Sequence, residues 1–338
     1  MRVLFTSSGV GLGHIVRDFH LSKYMHWANI TWITSGMALK YLEAKRVRIH
    51  EASYMIKGLD KLVEDMFKEG RLKLEFRNVF KLYNTVKENA KKLQELLNFD
   101  DFNGIIADEF WELLLMRRPN VKIVFITDFL NFKPQEGSIL QNFLIPYVNR
   151  ALYRNFKEFD GRIYVGLRPI STREFEFYGQ LFTHEKEFKY MEGGEFILIN
   201  LGGTFAGKVL LDKALPLLEK LGFNVKVIGP SGYFTPNPLS YIASSKLVIC
   251  MAGYSSLIEL SRFKKRGIII PLAGDFEHMD NAEVFKDKAG YRIIPCDKLE
   301  ERSLAQSIKE VLNEEPKPPE FRDGVESISK RLKLLLED

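Results

Sequence analysis

Cysteine is scarce: Cys250 and Cys296 are the only two in 338 residues, so no disulfide framework holds this fold. Both fall inside expected strands, where a buried, reduced thiol in a cytosolic protein is the natural reading. The six histidines, His14, His20, His26, His50, His184 and His278, are scattered, and none stands with Cys or Asp at zinc-ligand spacing. No Asp-x-Asp lies between expected strands to hold a divalent ion beside a diphosphate, so chemistry without a metal or other cofactor is expected. No apolar run is long enough to span a bilayer, and Met1 to Ser7 is too short for a leader, which predicts a cytoplasmic protein. Internal repeats and low-complexity tracts are missing too. Charge of one sign is not in large excess: 49 bases against 44 acids leave +5, which weakly favours anionic ligands and gives no nucleic-acid footprint. What remains is a chain of 46% apolar and 28% charged residues, the composition of a soluble globular protein with length for two domains.

The most informative stretch runs from Lys246 to Ala282. Residues 247–251 read as a buried parallel strand, and Ala252-Gly253 as a tight turn. A helix is expected from about Ser256, ending in Arg262, Lys264, Lys265 and Arg266, cations that suit a helix C-terminus. A second strand over 268–272 leads into a polar loop with Glu277, His278, Asp280 and Asn281. Gly253 has no Cβ, so a ligand can approach the backbone closely. The N–H groups of Tyr254, Ser255 and Ser256 at a helix start form an anion site, with two hydroxyls as further donors. The alternative is that Ser256-x-x-Glu259 is a capping box. In open α/β sheets ligands bind at the C-terminal strand edge, to which Glu277 and His278 also return.

Other loops repeat the pattern. Residues 1–7 read as a first strand, followed by Gly9-Val10-Gly11-Leu12-Gly13-His14 and a helix to about Met25. This fails the dinucleotide fingerprint because its third glycine is misplaced. Further strands are expected at 29–35, 46–52, 104–108, 122–128 and 161–166. Asp108 and Asp128 end two of them, where each is either a cleft residue, with Glu109 beside Asp108, or a helix cap. One basic amphipathic helix is expected over 59–97, either a solvated face or a surface for anionic lipid or a phosphorylated acceptor. In the second half, a strand over 195–200 precedes Gly202-Gly203-Thr204-Phe205-Ala206-Gly207-Lys208. This loop narrowly misses a Walker A sequence, because Val209 stands where a Mg²⁺-binding Ser or Thr belongs. Strands at 224–228 and 291–295, helices over 304–312 and 324–336, and a turn-rich loop through Phe234 and Thr235 complete the reading.

A strand, Gly-x-Ser-Ser, a helix Glu, a second strand and a polar loop ending in Asn-Ala together resemble the donor half of GT-B glycosyltransferases. The likeness includes the bacterial enzymes that add N-acetylglucosamine to a lipid-linked peptidoglycan precursor, and related UDP-sugar enzymes. The glycine loop before His14 resembles their acceptor half. His14-x-x-Arg17 is also similar to a Gly-His-x-x-Arg pattern in a UDP-sugar hydrolase of nonulosonic acid synthesis. The resemblance implies two Rossmann-like α/β domains facing a cleft. It implies that Gly253, Tyr254, Ser255 and Ser256 bind the nucleotide diphosphate, Glu259 the ribose, and Glu277, His278 and Asn281 the donor sugar. Gly202, Gly203 and Thr204 would face the nucleotide, and Phe234 and Thr235 would recognise the base. The family often has Gln where this chain has Glu277 and His278.

The expected organisation is an acceptor domain over 1–168, a linker over 169–192, a donor domain over 193–318 and a C-terminal helix over 319–338 that packs back on the first domain. The expected activity is metal-independent, inverting transfer of a sugar from a nucleotide donor, UDP by the resemblance. The acceptor would be held by Gly9, Gly11, Gly13 and Arg17. It is left open, a lipid-linked one with peripheral contact to an anionic membrane included; no nucleic acid is expected. His14 is the expected base, with Asp18 orienting it and Asp108 as the rival base. Hydrolysis of the nucleotide sugar by the same site and a non-catalytic binding protein are the alternatives.

Overall fold

In the computed structural model, residues 1–133, 139–170, 172–184, 189–191, 195–203, 207–230, 233, 235 and 238–337 are described. The chain forms two compact units: Met1–Met66, Leu74–Phe182 and Arg322–Asp338 make the first, Phe67–Lys73 and Thr183–Phe321 the second.

The first unit opens with β1 (Arg2–Ser7), α1 (Gly13–Ser22), β2 (Asn29–Ile33), α2 (Gly36–Lys45), α3 (Ala52–Met55) and α4 (Asp60–Glu64). After the short strands β3 (Phe67–Lys68) and β4 (Arg71–Leu72), it continues with α5 (Phe76–Leu96), β5 (Gly104–Asp108), β6 (Lys122–Thr127), α6 (Ile139–Phe156), β7 (Gly161–Tyr164) and β8 (Glu176–Phe177). Six strands pair in parallel in the order β2-β1-β5-β6-β7-β8. Alternate residues of each strand point to opposite faces. Val3, Phe5, Ile106, Val124 and Ile126 therefore pack on one side with Ile15, Leu21 and Leu42. Leu4, Ile105, Ala107, Ile123 and Phe125 pack on the other with Leu93, Leu152 and Phe156. The span 169–192 supplies β8 to this sheet, and Gln180 ties it in by donating to the Gly166 carbonyl and accepting from the Arg322 N–H.

The second unit continues with β9 (Ile197–Asn200), α7 (Lys208–Lys220), β10 (Val225–Ile228), α8 (Pro238–Ser244), β11 (Leu247–Met251), α9 (Tyr254–Arg262), β12 (Arg266–Ile270), α10 (Phe276–Glu283), β13 (Tyr291–Ile293) and α11 (Glu301–Leu312). Its five strands are parallel, ordered β10-β9-β11-β12-β13. One face is closed by Leu210, Ala214 and Leu218 of α7 with Leu304, Ile308 and Val311 of α11. The last helix, α12 (Val325–Glu337), belongs to the first unit, where Ile328 and Leu332 join the core beside Val3 and Phe5.

The structure corrects several sequence expectations. The single helix over 59–97 is broken, because Glu69 and Gly70 both adopt positive φ (55° and 78°) and close β3 and β4 into a tight hairpin. That hairpin joins the second unit, with Leu72 N–H donating to the Ala273 carbonyl and Ala273 N–H to that of Gly70. The expected strand over 46–52 is reduced to one bridge between Trp32 and Ile49, after which α3 begins. Glu277, His278, Asp280 and Asn281 lie on helix α10, not on a loop; Asp275 caps it by accepting from the N–H groups of Glu277 and His278. Cys250 and Cys296 are buried free thiols, and burial pushes the Cys250 thiol up to about 12, which makes it unreactive near neutral pH.

Candidate functional site

In each sheet the strand order reverses beside the first strand of that unit. In the first unit β1 lies between β2 and β5, and in the second β9 lies between β10 and β11. Loops leaving the C-terminal ends of the two strands at such a switch point diverge and leave a crevice for ligands. The loops concerned are those after β1 and β5, and those after β9 and β11. They carry His14 and Asp108, and Gly202 and Gly253.

In the second unit, Gly253 is the N-cap of α9, so the helix starts at Tyr254 and Ser256 is its third residue. That rules out the capping box: the cap position makes no side-chain hydrogen bond, and Ser256 lies inside the helix. Gly253 has ordinary extended backbone, φ −71° and ψ 146°, so no unusual conformation demands glycine here. A Cβ at this position would meet nothing within 4 Å, so its absence opens space at the helix start. The Ser255 hydroxyl is buried with no hydrogen-bond partner among the described residues. An unsatisfied buried hydroxyl is costly, and a ligand oxygen is one partner that would satisfy it.

Ser256 does have a partner. Its hydroxyl accepts from the side-chain amide of Asn200 at 3.2 Å, while the Asn200 carbonyl oxygen accepts from the Gly202 N–H at 3.0 Å. Asn200, at the end of β9, thus ties the two glycine turns together. Its place between a strand and Gly-Gly was the signal for it in the sequence; its reach to Ser256 was not visible there. Gly202 has φ +74°, a conformation only glycine adopts freely. Asn281 is buried and donates to the Ala252 carbonyl at 3.4 Å, which brings α10 to the Gly253 turn. His278 accepts from the Leu272 N–H through Nδ1 at 3.4 Å, which puts its proton on Nε2. Tyr254 and Glu259 are buried, and Glu277 and Thr235 half-buried. Gly203 lies in the turn after Gly202, whereas Thr204 and Phe234 fall outside the described residues.

In the first unit, His14 is the second residue of α1 and Arg17 lies one turn on. Arg17, expected to reach an acceptor, is instead 1% exposed. Its guanidinium grips Asp108 with two hydrogen bonds, Nε to Oδ2 and Nη2 to Oδ1, both 2.7 Å, and Asp128 through Nη1. A planar fork meeting a carboxylate in this way is the strongest geometry available to such a pair. Burial alone would push the Asp108 carboxyl up, but the Arg17 guanidinium and His14 beside it hold it well below the usual range. Asp108 is therefore an ionised, enclosed carboxylate.

His14 Nδ1 lies 3.3 Å from Asp108 Oδ1 and 2.9 Å from Arg17 Nη2, and its Nε2 is 3.8 Å from Glu109 Oε2. Nδ1 can donate to Asp108 or accept from Arg17. Only the first arrangement leaves Nε2 as a proton acceptor. Asp18 does not touch the ring: it accepts from the Ser7 hydroxyl at 2.6 Å, and burial, then the neighbouring Asp108, push its carboxyl well above the ordinary value. Glu109 sits at φ +45°, an unusual conformation for a non-glycine residue, with its Oε1 accepting from the Thr127 hydroxyl at 2.9 Å and the Asp128 N–H at 3.0 Å. His14, Glu109 and Asp128 bring one potential ligand atom each within 4.8 Å of one another. Gly9, Gly11 and Gly13 form the loop before the ring, and a Cβ at Gly13 would meet open space.

Residues 207–335 match the model of the glycosyltransferase family 28 C-terminal domain. No curated protein sequence matches the chain. Among solved structures, the chain is similar to the glycotransferase of kitacinnamycin, at 10% identity and TM-score 0.62, over 99% of this chain and 94% of that one. It is similar to MurG of Acinetobacter baumannii, at 13% identity and TM-score 0.52, over 92% of this chain and 91% of that one. It is also similar to SsfS6 of Streptomyces sp. SF2575 complexed with thymidine diphosphate, at 13% identity and TM-score 0.58, over 100% and 96%. Likeness at these identities is one of fold, and the fold is that of the GT-B glycosyltransferases, two Rossmann-like α/β domains. The family match lies in the second half of the chain, and the fold likeness extends over nearly all of it.

Proposed function

We propose that this protein moves a sugar, with inversion, from a UDP-linked donor bound by the second unit to an acceptor hydroxyl deprotonated by His14. The observation that carries the donor half is the start of α9: a buried Ser255 hydroxyl with no partner among the described residues, beside an N-terminus with no side-chain cap. Backbone N–H groups and a helix dipole there stabilise the charge of a departing diphosphate, so departure needs no metal. Glu259, on the same helix, is suited to the ribose hydroxyls, and Glu277, His278 and Asn281, brought near through α10, to the sugar. The solved SsfS6 carries thymidine diphosphate, which supports a nucleoside diphosphate as the ligand class.

On the acceptor side, His14 works as a base only with its Nδ1 proton directed at Asp108. Asp108 then orients the ring and stabilises the imidazolium that forms, in place of acting as a base itself. Arg17 holds Asp108 ionised and fixed. Attack by the hydroxyl as the diphosphate leaves is a single displacement, which inverts the anomeric centre. Activity is tested by UDP release from a panel of UDP-sugars with and without added acceptors. Release accelerated by an acceptor, with an inverted anomeric product by NMR, is the expected result; no saturable UDP binding in calorimetry overturns the donor reading. Hydrolysis is the second reading, favoured by the carboxylates around His14, which would polarise a water as well as an alcohol. Rapid UDP release independent of any acceptor would select it.

No helix among the described residues is long and apolar enough to cross a membrane. The first turns of α5, however, expose Phe76, Val79, Phe80 and Tyr83 on one face, with Arg77, Lys81 and Lys87 exposed on the same helix. This face suits peripheral contact with anionic lipid. Salt-sensitive sedimentation with anionic but not neutral vesicles is the expected outcome, and equal binding to both removes the assignment.

A further inference from the structure

The glycine loop before His14 already holds an anion, and the anion is part of the chain. Asp60, at the start of α4, accepts from the Gly11 N–H through Oδ1 at 2.9 Å and from the Met37 N–H through Oδ2 at 3.0 Å. Met37 is the second residue of α2, so the carboxylate joins the loop after β1 to the helix start after β2. The backbone is shaped around it. Gly11 and Gly36 both adopt positive φ, +68° and +61°, where a side chain would be strained. A Cβ on Gly36 would lie 1.8 Å from Asp60 Oδ2, and a Cβ on Gly58 3.1 Å from the Gly36 Cα. Any residue larger than glycine at position 36 would expel the carboxylate. Two backbone N–H groups at a glycine turn and a helix start are what a ligand phosphate would otherwise take.

The ring that follows this loop is also set among carboxylates. Around His14 stand Asp108, Glu109 and Asp128, with the single guanidinium of Arg17 between them. Burial raises the Asp60 carboxyl above its ordinary range, against the bonds from Met37 and Gly11 and the charge of Lys40, which lower it; the two backbone bonds are what place it.

We propose that Asp60 is the resident anion of the acceptor-side glycine loop, and that the acceptor presented to His14 is an uncharged alcohol with no phosphate on that loop. This rests on the reading of His14 as the acceptor base. It specifies the acceptor class, and it separates this chain from a transferase that would grip an acceptor diphosphate with the same loop. A phosphate arriving there would have to displace a carboxylate held by two backbone bonds.

The test uses inorganic pyrophosphate as the probe, titrated by calorimetry into the full-length protein saturated with UDP, so that the α9 turn is filled. The wild type should give no saturable pyrophosphate binding. Asp60→Gly, which vacates the two N–H groups and removes the charge, should gain a salt-sensitive site at one equivalent. Asp60→Asn, which keeps the shape but not the charge, is the second variant should the first fail to fold, and a smaller gain is expected of it. Stoichiometric pyrophosphate binding by the UDP-saturated wild type, or folded variants that gain none, overturns the proposal. Failure of UDP itself to bind overturns the donor reading instead. In that case the difference between wild type and variant still reports on the loop, because the α9 turn is common to both.

Discussion

Replacing Ser255 with Ala should separate stability from binding, and in opposite directions. The Ser255 hydroxyl is buried without a partner among the described residues. Leaving such a group unsatisfied costs roughly 1–3 kcal/mol, and an apolar replacement of similar shape is neutral to stabilising. Ser255→Ala should therefore hold or raise the unfolding midpoint, by up to a few degrees. The same change removes a donor from the diphosphate, and a hydrogen bond to a charged group is worth roughly 1.5–3 kcal/mol. UDP affinity should fall about tenfold to a hundredfold. Ser256→Ala is the internal contrast. Its hydroxyl accepts from Asn200 at 3.2 Å, so its loss leaves the amide donor of a buried residue unpaired and should destabilise by about 1 kcal/mol while also weakening UDP. The assays are thermal and urea denaturation and UDP calorimetry on the three proteins in one buffer. A Ser255→Ala protein that is clearly less stable, yet binds UDP as the wild type does, would refute the reasoning: the hydroxyl would then be structural and the diphosphate elsewhere.

Three further outcomes are expected. His14→Ala should lower kcat by roughly 10²–10⁴-fold, the usual worth of a general base, with UDP affinity little changed; near-normal turnover with a good acceptor would move the role to another group. Asp18 is held protonated above its ordinary range by burial and by Asp108, while its unfolded-state pKa is near 3.9, so unfolding releases a proton in between and wild-type stability falls by up to about 1.4 kcal/mol per pH unit as pH rises through that window. Asp18→Asn mimics the protonated form and keeps an acceptor for the Ser7 hydroxyl, so it should flatten that slope in denaturation series from pH 4 to 8 and be at least as stable at pH 7; an unchanged slope means that Asp18 is ionised in the fold. Glu259→Ala should lose affinity for UDP more than for its 2′-deoxy analogue, because the carboxylate is assigned to the ribose hydroxyls, and equal losses in calorimetry would assign it another role.

The donor half was legible because its chemistry is local. A β-branched strand, a glycine, two serines and a helical Glu fall within Leu247–Glu259, and the register of β11 and α9 follows from short-range periodicity. The sequence could not decide where α9 starts. Ser256-x-x-Glu259 satisfies a capping pattern, and only the packing of Gly253 as the cap moved the serine inside the helix and left Ser255 without a partner.

Composition and pattern by themselves determined two α/β halves, parallel buried strands and glycine loops at strand ends, because burial on both faces of a sheet writes itself into continuous apolar runs. The tertiary structure alone decided what the acceptor-side charges do. Asp108 and Asp128 lie 91 and 111 residues from Arg17, and each of the three alone reads as a ligand group. Once the sheet order sets β1 beside β5, with β6 next beyond it, they neutralise one another, since a buried guanidinium and buried carboxylates are stable only as partners. The same holds for Asp60. Nothing within a few residues of it marks it as a ligand of Gly11, 49 positions away; the parallel register of β1 and β2 brings the loop and the α2 start together, and their two open N–H groups choose the carboxylate.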